Sequence, residues 1–327
     1  MRKILIIIVS RIGDTLFATP SIKAISEFYN NPEITVLAHP KRYQVFQHLS
    51  FINNIGKISK NSAKWRGYFL THYDLAFVYG FDKELVKYAL RVSKKVISFK
   101  QNDTHLNDKL YKSIDPPKFQ SMHAVDQLLE LPKSININAN SKRLSFSLSA
   151  EETLFAEKLL SKNKINNKLL IGLQVASFPT KSYRDWPIEN FLELCNKILD
   201  SRSNAHFLIF GGGLEKNKTS WLSNKLGDKA TLLAGKLTLR ETGSVMSKVN
   251  LYIGVDTGPS HIMSTFDIPM VVLFHCLSSN LHTGAINHPY YFPINHQIKD
   301  CNENSSMKDI QVATVVSNVF EALGEVE

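Results

Sequence analysis

The chain has 327 residues, 43% of them hydrophobic and 21% charged. That composition excludes a disordered protein, and the length exceeds one typical core, so two globular domains are expected. The net charge of +10 is unevenly held: residues 1–150 carry 22 Lys+Arg against 11 Asp+Glu, and residues 151–327 carry 17 against 18. An excess confined to one half directs that half towards something anionic, unless it is only a solvated surface. A phosphorylated glycolipid, an acidic membrane leaflet and nucleic acid are the candidates.

In chain order, Lys3–Ser10 is an apolar run of strand length, the pattern of a parallel strand buried on both faces. Its apolar part is too short to span a bilayer, and no small-residue cleavage pattern follows, so it reads as a strand and not a signal peptide. A turn with Gly13 comes next, then a helix with Ile22, Ile25 and Phe28 at helical spacing, Thr19 as its N-cap and Pro20 as its first residue. Strands are expected at Glu33–Ala38, Leu75–Tyr79 and Val96–Phe99, with a basic helix over Lys83–Val92. The segment Asp103–Gln120, with Pro116 and Pro117, reads as a mobile loop.

The same alternation restarts in the second half. A helix opens at Ser149 and runs through Leu160, with a polar linker over Lys162–Asn167. Strands are expected at Leu169–Val175, His206–Phe210, Leu232-Leu233, Asn250–Val255 and Met270–Phe274, and helices over Ile188–Leu199 and Leu239–Lys248. Such alternation implies two doubly wound α/β domains whose ligands bind beyond the carboxyl ends of the strands. Cys195, Cys276 and Cys301 show no metal-type spacing and read as reduced thiols of a cytoplasmic protein.

The segment with most chemical content is Asp256-Thr257-Gly258-Pro259-Ser260-His261, where a buried strand breaks into a turn and opens a helix. Free N–H groups at a helix start attract phosphate. Gly258 permits close approach, Thr257 and Ser260 offer hydroxyls, and Asp256 can accept from sugar hydroxyls. Taken alone, the segment fits equally well a helix capped by Asp256 or Thr257, with His261 in a core contact.

Asp-Thr-Gly-Pro-x-His, three-quarters along the chain and followed by the strand at Met270–Phe274, resembles the heptosyltransferase family of bacterial lipopolysaccharide synthesis, glycosyltransferase family 9. The likeness extends to Ser10–Pro20 after the first strand, to Tyr73–Val78, to His123-Ala124-Val125-Asp126, to Trp186-Pro187 and to Gly235–Leu239. It implies a GT-B fold, an α/β architecture of two Rossmann-like doubly wound domains facing a central cleft. Residues 1–160 would bind the acceptor and residues 161–305 the donor. Residues 306–327 would form a helix returning to the first domain.

The resemblance also implies inverting transfer without metal or cofactor. A sugar, heptose from ADP-heptose, would pass to an anionic lipid-linked oligosaccharide on the inner face of the cytoplasmic membrane. Asp14 would be the general base, deprotonating the acceptor hydroxyl as it attacks, although the same position suits a helix N-cap. Thr180, Lys181 and Arg184 can reach phosphates. The family commonly has lysine two positions before the tryptophan of Trp-Pro, where this chain has Arg184, so Lys181 and Arg184 both qualify to neutralise the leaving diphosphate. Trp186 reads as packing. Glu215, after Gly211-Gly212-Gly213, stands at the family's ribose-binding position, and Leu237 and Thr238 at its adenine contact.

On the acceptor side, Lys57, Lys60, Lys64 and Arg66 are interleaved with Trp65 and Tyr68. Of these, Lys64 and Arg66, with Lys118 and His123, are the candidate acceptor contacts; an ordinary solvated loop would look the same. A non-catalytic nucleotide-sugar-binding paralogue would keep the fold without the transfer. A nucleic-acid binder is disfavoured, because no recognised module occurs.

Overall fold

The structure, a computed structural model, describes residues 1–67, 72–118 and 120–324. Two compact units divide the chain, Met1–Ser147 and Leu148–Glu327.

In the first unit the described strands are β1 (Lys3–Ile8), β2 (Glu33–Ala38), β3 (Asn54–Lys57), β4 (Leu75–Tyr79), β5 (Val96–Phe99) and β6 (Lys112–Ile114). They form one parallel sheet in the order β3-β2-β1-β4-β5-β6. Helices α1 (Ile12–Phe17), α2 (Thr19–Phe28), α3 (Lys60–Trp65), α4 (Lys83–Val92), α5 (Thr104–Asn107) and α6 (Ala124–Lys133) connect or flank the strands. The uninterrupted Ile/Leu run of β1 has a direct cause in this layering. Ile4, Ile6 and Ile8 join the core containing Ile22, Ile25 and Leu131, while Leu5 and Ile7 join the core containing Val86, Ala89 and Val92. Side chains alternate between the two faces of the sheet, and both faces are covered.

Four local expectations change. The turn with Gly13 is the helix α1, and the N-cap of α2 is Ala18, with Thr19 already inside the helix. Phe28 is exposed, beyond the buried stripe of α2. Asp103–Gln120 contains α5 and β6: Asp103 caps α5 by accepting from the Leu106 N–H at 3.2 Å, and Asn107 exchanges two 2.8 Å bonds with the Gln101 backbone.

The second unit has strands β7 (Leu169–Gln174), β8 (Ala205–Phe210), β9 (Ala230–Leu232), β10 (Leu251–Val255), β11 (Met270–Phe274) and β12 (Tyr291–Asn295), in the order β12-β11-β10-β7-β8-β9. Its helices are α7 (Ala150–Lys162), α8 (Ile188–Ser201), α9 (Lys216–Leu226), α10 (Leu239–Met246), α11 (Gly258–Met263), α12 (Asn280–Thr283) and α13 (Val312–Gly324). Renumbered from its own first strand, this sheet has the same order as the first. Each sheet therefore reverses direction once, between β1 and β4 and between β7 and β10, and at such switch points doubly wound folds leave a crevice.

The expected boundaries shift. The division falls at Ser147/Leu148, so α7 belongs to the second unit. The helix α13 is also part of that unit: Val315, Val319 and Leu323 are buried in its core with Leu251, Val271 and Leu273. The terminal helix thus fills an apolar face of the second sheet. No charged residue lies between 148 and 150, so the new boundary leaves the charge division unchanged.

The start of α7 shows how the second unit is tied together. Ser149 and Glu152 cap each other reciprocally, at 3.2 and 2.9 Å, and Arg240 of α10 grips the Glu152 carboxylate with two bonds of 2.7 and 2.6 Å. This fork is largely buried, and a buried carboxylate that loses its partner is costly. Arg240→Met should lower the unfolding free energy by about 3 kcal/mol, read from urea denaturation. A midpoint equal to that of the parent chain would show that the fork contributes nothing.

Candidate functional site

The second unit gathers its polar loops at the carboxyl ends of β7, β8, β10, β11 and β12. After β10 the chain turns at Asp256 into α11, and after β7 it runs through a 3-10 turn at Pro179–Arg184. Because β7 and β10 are adjacent, these two loops meet at the switch point. Arg184 there places a guanidinium nitrogen 3.3 Å from Asp256 Oδ2, and His261 Nε2 lies 3.6 Å from Asp256 Oδ1. The Asp256 carboxylate is only 3% exposed, and the Arg184 guanidinium offsets its charge. Asp256 is thus a counter-ion that orders Arg184.

The turn itself also differs from a simple phosphate cradle. The Ser260 hydroxyl is buried and committed, accepting from the Thr257 N–H at 2.9 Å and donating to the Thr257 carbonyl at 2.6 Å. It therefore caps the helix in place of reaching a ligand. Thr257 is the N-cap and Gly258 and Pro259 are the opening residues of a helix only six residues long.

Around Arg184 the 3-10 turn is pinned from below. Asp185 accepts from the Ser177 N–H at 2.7 Å and from Lys218 Nζ at 2.7 Å, and Trp186, buried, donates its indole N–H to the Ile310 carbonyl at 2.9 Å. Trp186 is packing, as its position before a helix suggests. Lys181 donates to the Tyr183 hydroxyl at 3.1 Å and sits 3.5 Å from Glu303. Thr180 is exposed on the same turn. After β8, Glu215 folds back to accept from the Gly212 N–H at 2.5 Å. Burial pushes its carboxyl above the ordinary range, partly opposed by that hydrogen bond. One Glu215 oxygen is thus used in the loop's own closure. Leu237 is half-buried, and Thr238 accepts from the Glu241 N–H as the N-cap of α10.

Cysteine usage is a second correction. Cys276 and Cys301 form a disulfide joining the loop after β11 to the segment after β12, whereas Cys195 is a buried free thiol. The expectation of three reduced thiols is thus replaced by one bridge. His275 is fully buried beside it, Nδ1 accepting from the Leu277 N–H at 3.1 Å and Nε2 bonded to the Ser305 carbonyl at 2.8 Å. Burial lowers its pKa, with smaller opposing and reinforcing contributions. Among the described residues, His275, Cys276 and Cys301 are the group whose ligand atoms cluster closely enough for a metal, within 4.8 Å of one another, although the disulfide and these hydrogen bonds engage all three. A cavity of about 610 Å³ lies alongside, lined by Cys276, Asn280, Asn295, His296 and Lys299 among others. Neither the bridge nor this cavity was legible, since β12 was not anticipated and its closing segment lacks a motif.

In the first unit, Asp14 lies in α1 at the carboxyl end of β1, exposed, with the Ser10 hydroxyl donating to its Oδ2 at 2.6 Å. The N-cap of α1 is Arg11, so Asp14 is not the cap. Arg42 donates to the Ser10 carbonyl at 2.9 Å, bringing a cation to the same loop. His123 caps α6 through Nδ1, accepting from Val125 at 3.1 Å, and its ring meets Phe17 of α1 edge-on at 5.9 Å. Lys118 is exposed in the segment leading to α6.

Lys64 and Arg66 are elsewhere. The Arg66 carbonyl accepts from Arg91 at the end of α4, and the neighbouring Val92 carbonyl accepts from His72 and Tyr73, just before β4 begins. These residues therefore sit at the amino edge of the sheet, opposite Asp14. Trp65 beside them is 83% exposed. Tyr68 lies outside the described residues. Lys60 starts α3 at the other edge and pairs with Asp82 at 2.7 Å, while Lys57 stacks on Tyr43.

No helix among the described residues is long and apolar enough to cross a membrane.

The sequence model of Glycosyltransferase family 9 (heptosyltransferase) matches residues 81–312. A lipopolysaccharide core heptosyltransferase, OpsX of Haemophilus influenzae, is 21% identical over 280 residues, covering 84% of this chain and 79% of that protein. Among solved structures, a family 9 glycosyl transferase of Veillonella parvula superposes with a TM-score of 0.87 at 16% identity, covering 99% and 98% of the two chains. The ADP-heptose lipopolysaccharide heptosyltransferase II of Escherichia coli gives 0.83 at 16% identity, covering 99% of each. The fold is accordingly the GT-B type of α/β architecture.

Two buried histidines make the second unit sensitive to acid. Burial is the main cause lowering the pKa of both His206 and His275 below 6.5, so the unfolded chain binds protons that the folded chain does not. Their contribution is intact above pH 6.5 and declines as pH falls through that value. The melting temperature should therefore drop between pH 7 and pH 5, and His275→Gln should flatten the decline. Parallel profiles for parent and variant would contradict the assignment.

Proposed function

Because this chain belongs to glycosyltransferase family 9, we propose that it transfers heptose from ADP-heptose to a lipopolysaccharide or lipooligosaccharide core. The observation that carries this reading is the meeting of Arg184 with Asp256 at the β7/β10 switch point, with Lys181 on the same turn. A nucleotide diphosphate leaving the sugar gains negative charge, and two cations on one short turn stabilise it in the transition state. Lys181 and Arg184 thereby supply the neutralisation that a divalent metal would give, which supports transfer without metal or other cofactor. Arg184, fixed by Asp256, holds the diphosphate, and Lys181 reaches it from the more exposed side. Glu215 contributes its remaining acceptor capacity to the ribose, and Leu237 packs against the base. Thr257, Gly258 and His261 border the diphosphate, and Thr180 adds an exposed hydroxyl.

In the chemical step the acceptor hydroxyl attacks the anomeric carbon from the face opposite the diphosphate, so configuration inverts. Asp14 accepts the proton, and the carbon–oxygen bond to the diphosphate breaks. The 2.6 Å bond from Ser10 holds one Asp14 oxygen, orienting the carboxylate without backbone capping. The excess positive charge of the first unit, 22 basic against 11 acidic residues, suits an anionic acceptor, with His123 and Lys118 as candidate contacts on the Asp14 side. Lys64, Arg66 and exposed Trp65 fit a peripheral contact with an acidic leaflet better than acceptor binding, since they lie at the far edge of the sheet.

Two measurements test the reading. ADP at a hundredfold excess over its dissociation constant should stabilise the chain by about 2.7 kcal/mol, seen as a thermal shift, and UDP should not. Stabilisation by UDP alone would reject the adenine donor. Asp14→Ala should reduce transfer by about 100-fold or more while leaving ADP binding intact, and undiminished turnover would remove Asp14 as the base.

A further inference from the structure

Between the two cations of the donor turn stands Tyr183. Its hydroxyl accepts from Lys181 Nζ at 3.1 Å, and its ring faces both the Lys181 ammonium, 5.2 Å from the centroid, and the Arg184 guanidinium, 5.7 Å away. Long cationic side chains lose considerable rotamer freedom when fixed, and two of them on one turn repel each other. A rigid aromatic between them answers both problems, because its π face attracts each cation and its oxygen engages both.

The ring is itself held. It meets the buried His275 edge-on at 4.9 Å. The two ring nitrogens of His275 are engaged by Leu277 and the Ser305 carbonyl, so the imidazole cannot turn away. The disulfide between Cys276 and Cys301 joins the two chain segments that supply those bonds, and Glu303 of the second segment lies 3.5 Å from Lys181. Burial pushes the Tyr183 hydroxyl up, but the hydrogen bonds and charges of Lys181 and Arg184 outweigh it, and the net displacement is downward. The phenol oxygen thus sits in a field made by both cations.

We propose that Tyr183, seated on His275, is a positioning residue that sets the spacing of Lys181 and Arg184 so that both meet the leaving diphosphate. The proposal rests on the donor-site reading given above. Tyr183 acts through the two cations, and its effect should appear where a β-phosphate is present and be absent where it is not.

The test is a double-mutant cycle on the full chain, using Tyr183→Phe, Lys181→Met and the pair, with ADP and AMP affinities measured by calorimetry. Tyr183→Phe keeps the ring on His275 and removes only the oxygen. It should weaken ADP about 3- to 5-fold and leave AMP unchanged, and the double variant should lose clearly less ADP affinity than the sum of the two single losses. In turnover assays it should lower kcat more than it raises the donor KM, because the charge it helps to offset is largest in the transition state. Tyr183→Leu, which also removes the ring, should cost at least another 3-fold for ADP. Additive effects in the cycle, or equal losses for ADP and AMP, would overturn the proposal while leaving the donor site standing. A parent chain that binds neither nucleotide would overturn the donor-site reading and this proposal with it.

Discussion

A carboxylate that is 3% exposed governs the second unit's chemistry. Asp256 follows the central strand β10, and its charge is met by Arg184 at 3.3 Å, with the His261 ring 3.6 Å from its other oxygen. A buried charge without partners is expensive enough to reorganise a fold. The loop after β7 therefore has to come to the end of β10. The rest of the site follows: Asp185 and Trp186 anchor the turn behind Arg184, and Lys181 and Tyr183 are carried into place by that anchoring. The carboxylate does not face a ligand alone. It determines where a cation stands.

Much of the fold could be read from the chain. The strands β1, β2, β4, β5, β7, β8, β10 and β11 are each runs of buried residues, because a strand covered on both faces has no solvent side to encode. The three strands that escaped notice, β3, β6 and β12, all lie at sheet edges. Edge strands need fill less of the core and tolerate polar residues or proline, as Asn54-Ile-Gly-Lys57 and Lys112-Ser-Ile114 do. In β12, Pro293 stands opposite Val272, and proline in a run ordinarily argues against a strand. The terminal helix packs Val315, Val319 and Leu323 into the second unit's core, and an amphipathic stripe of that kind states what a helix buries but is silent on which sheet receives it.

The site was legible to a lesser depth. Loops after strands could be picked out because doubly wound sheets put ligands at those ends; Asp256 and His261 stand in one such loop, and the family resemblance pointed to Asp14 and Arg184 in two others. Pairing was not legible. Arg184 and Asp256 are 72 residues apart, and no local rule says that one neutralises the other. Ser260 looked like a phosphate donor because hydroxyls at helix starts have two possible uses, and only the geometry shows that it caps. Lys64 and Arg66 looked like acceptor contacts because charge patterning ignores which end of a short helix faces which edge of a sheet. The disulfide depends on β12 bringing Cys301 back to Cys276, so missing the strand meant missing the bridge.

The two units solve electrostatics in opposite ways. The first carries an uncompensated excess of 11 positive charges, whereas the second, at 17 basic against 18 acidic residues, is nearly neutral. In the second unit the cations beside the site are matched one by one: Arg184 with Asp256, Lys181 with Glu303 and Lys218 with Asp185. A diffuse excess raises the local concentration of an anionic partner and is screened over about 8–10 Å at physiological salt. Matched pairs attract little from a distance but hold donors at fixed positions, which is what stabilises charge that appears only during bond breaking. A unit that meets an extended anionic surface benefits from the first arrangement. A unit that must grip a diphosphate in the transition state and then release it benefits from the second, because carboxylates already in place offset part of the cations' attraction for the free nucleotide. The neutrality of the second unit is therefore consistent with cations used for geometry and not for long-range capture.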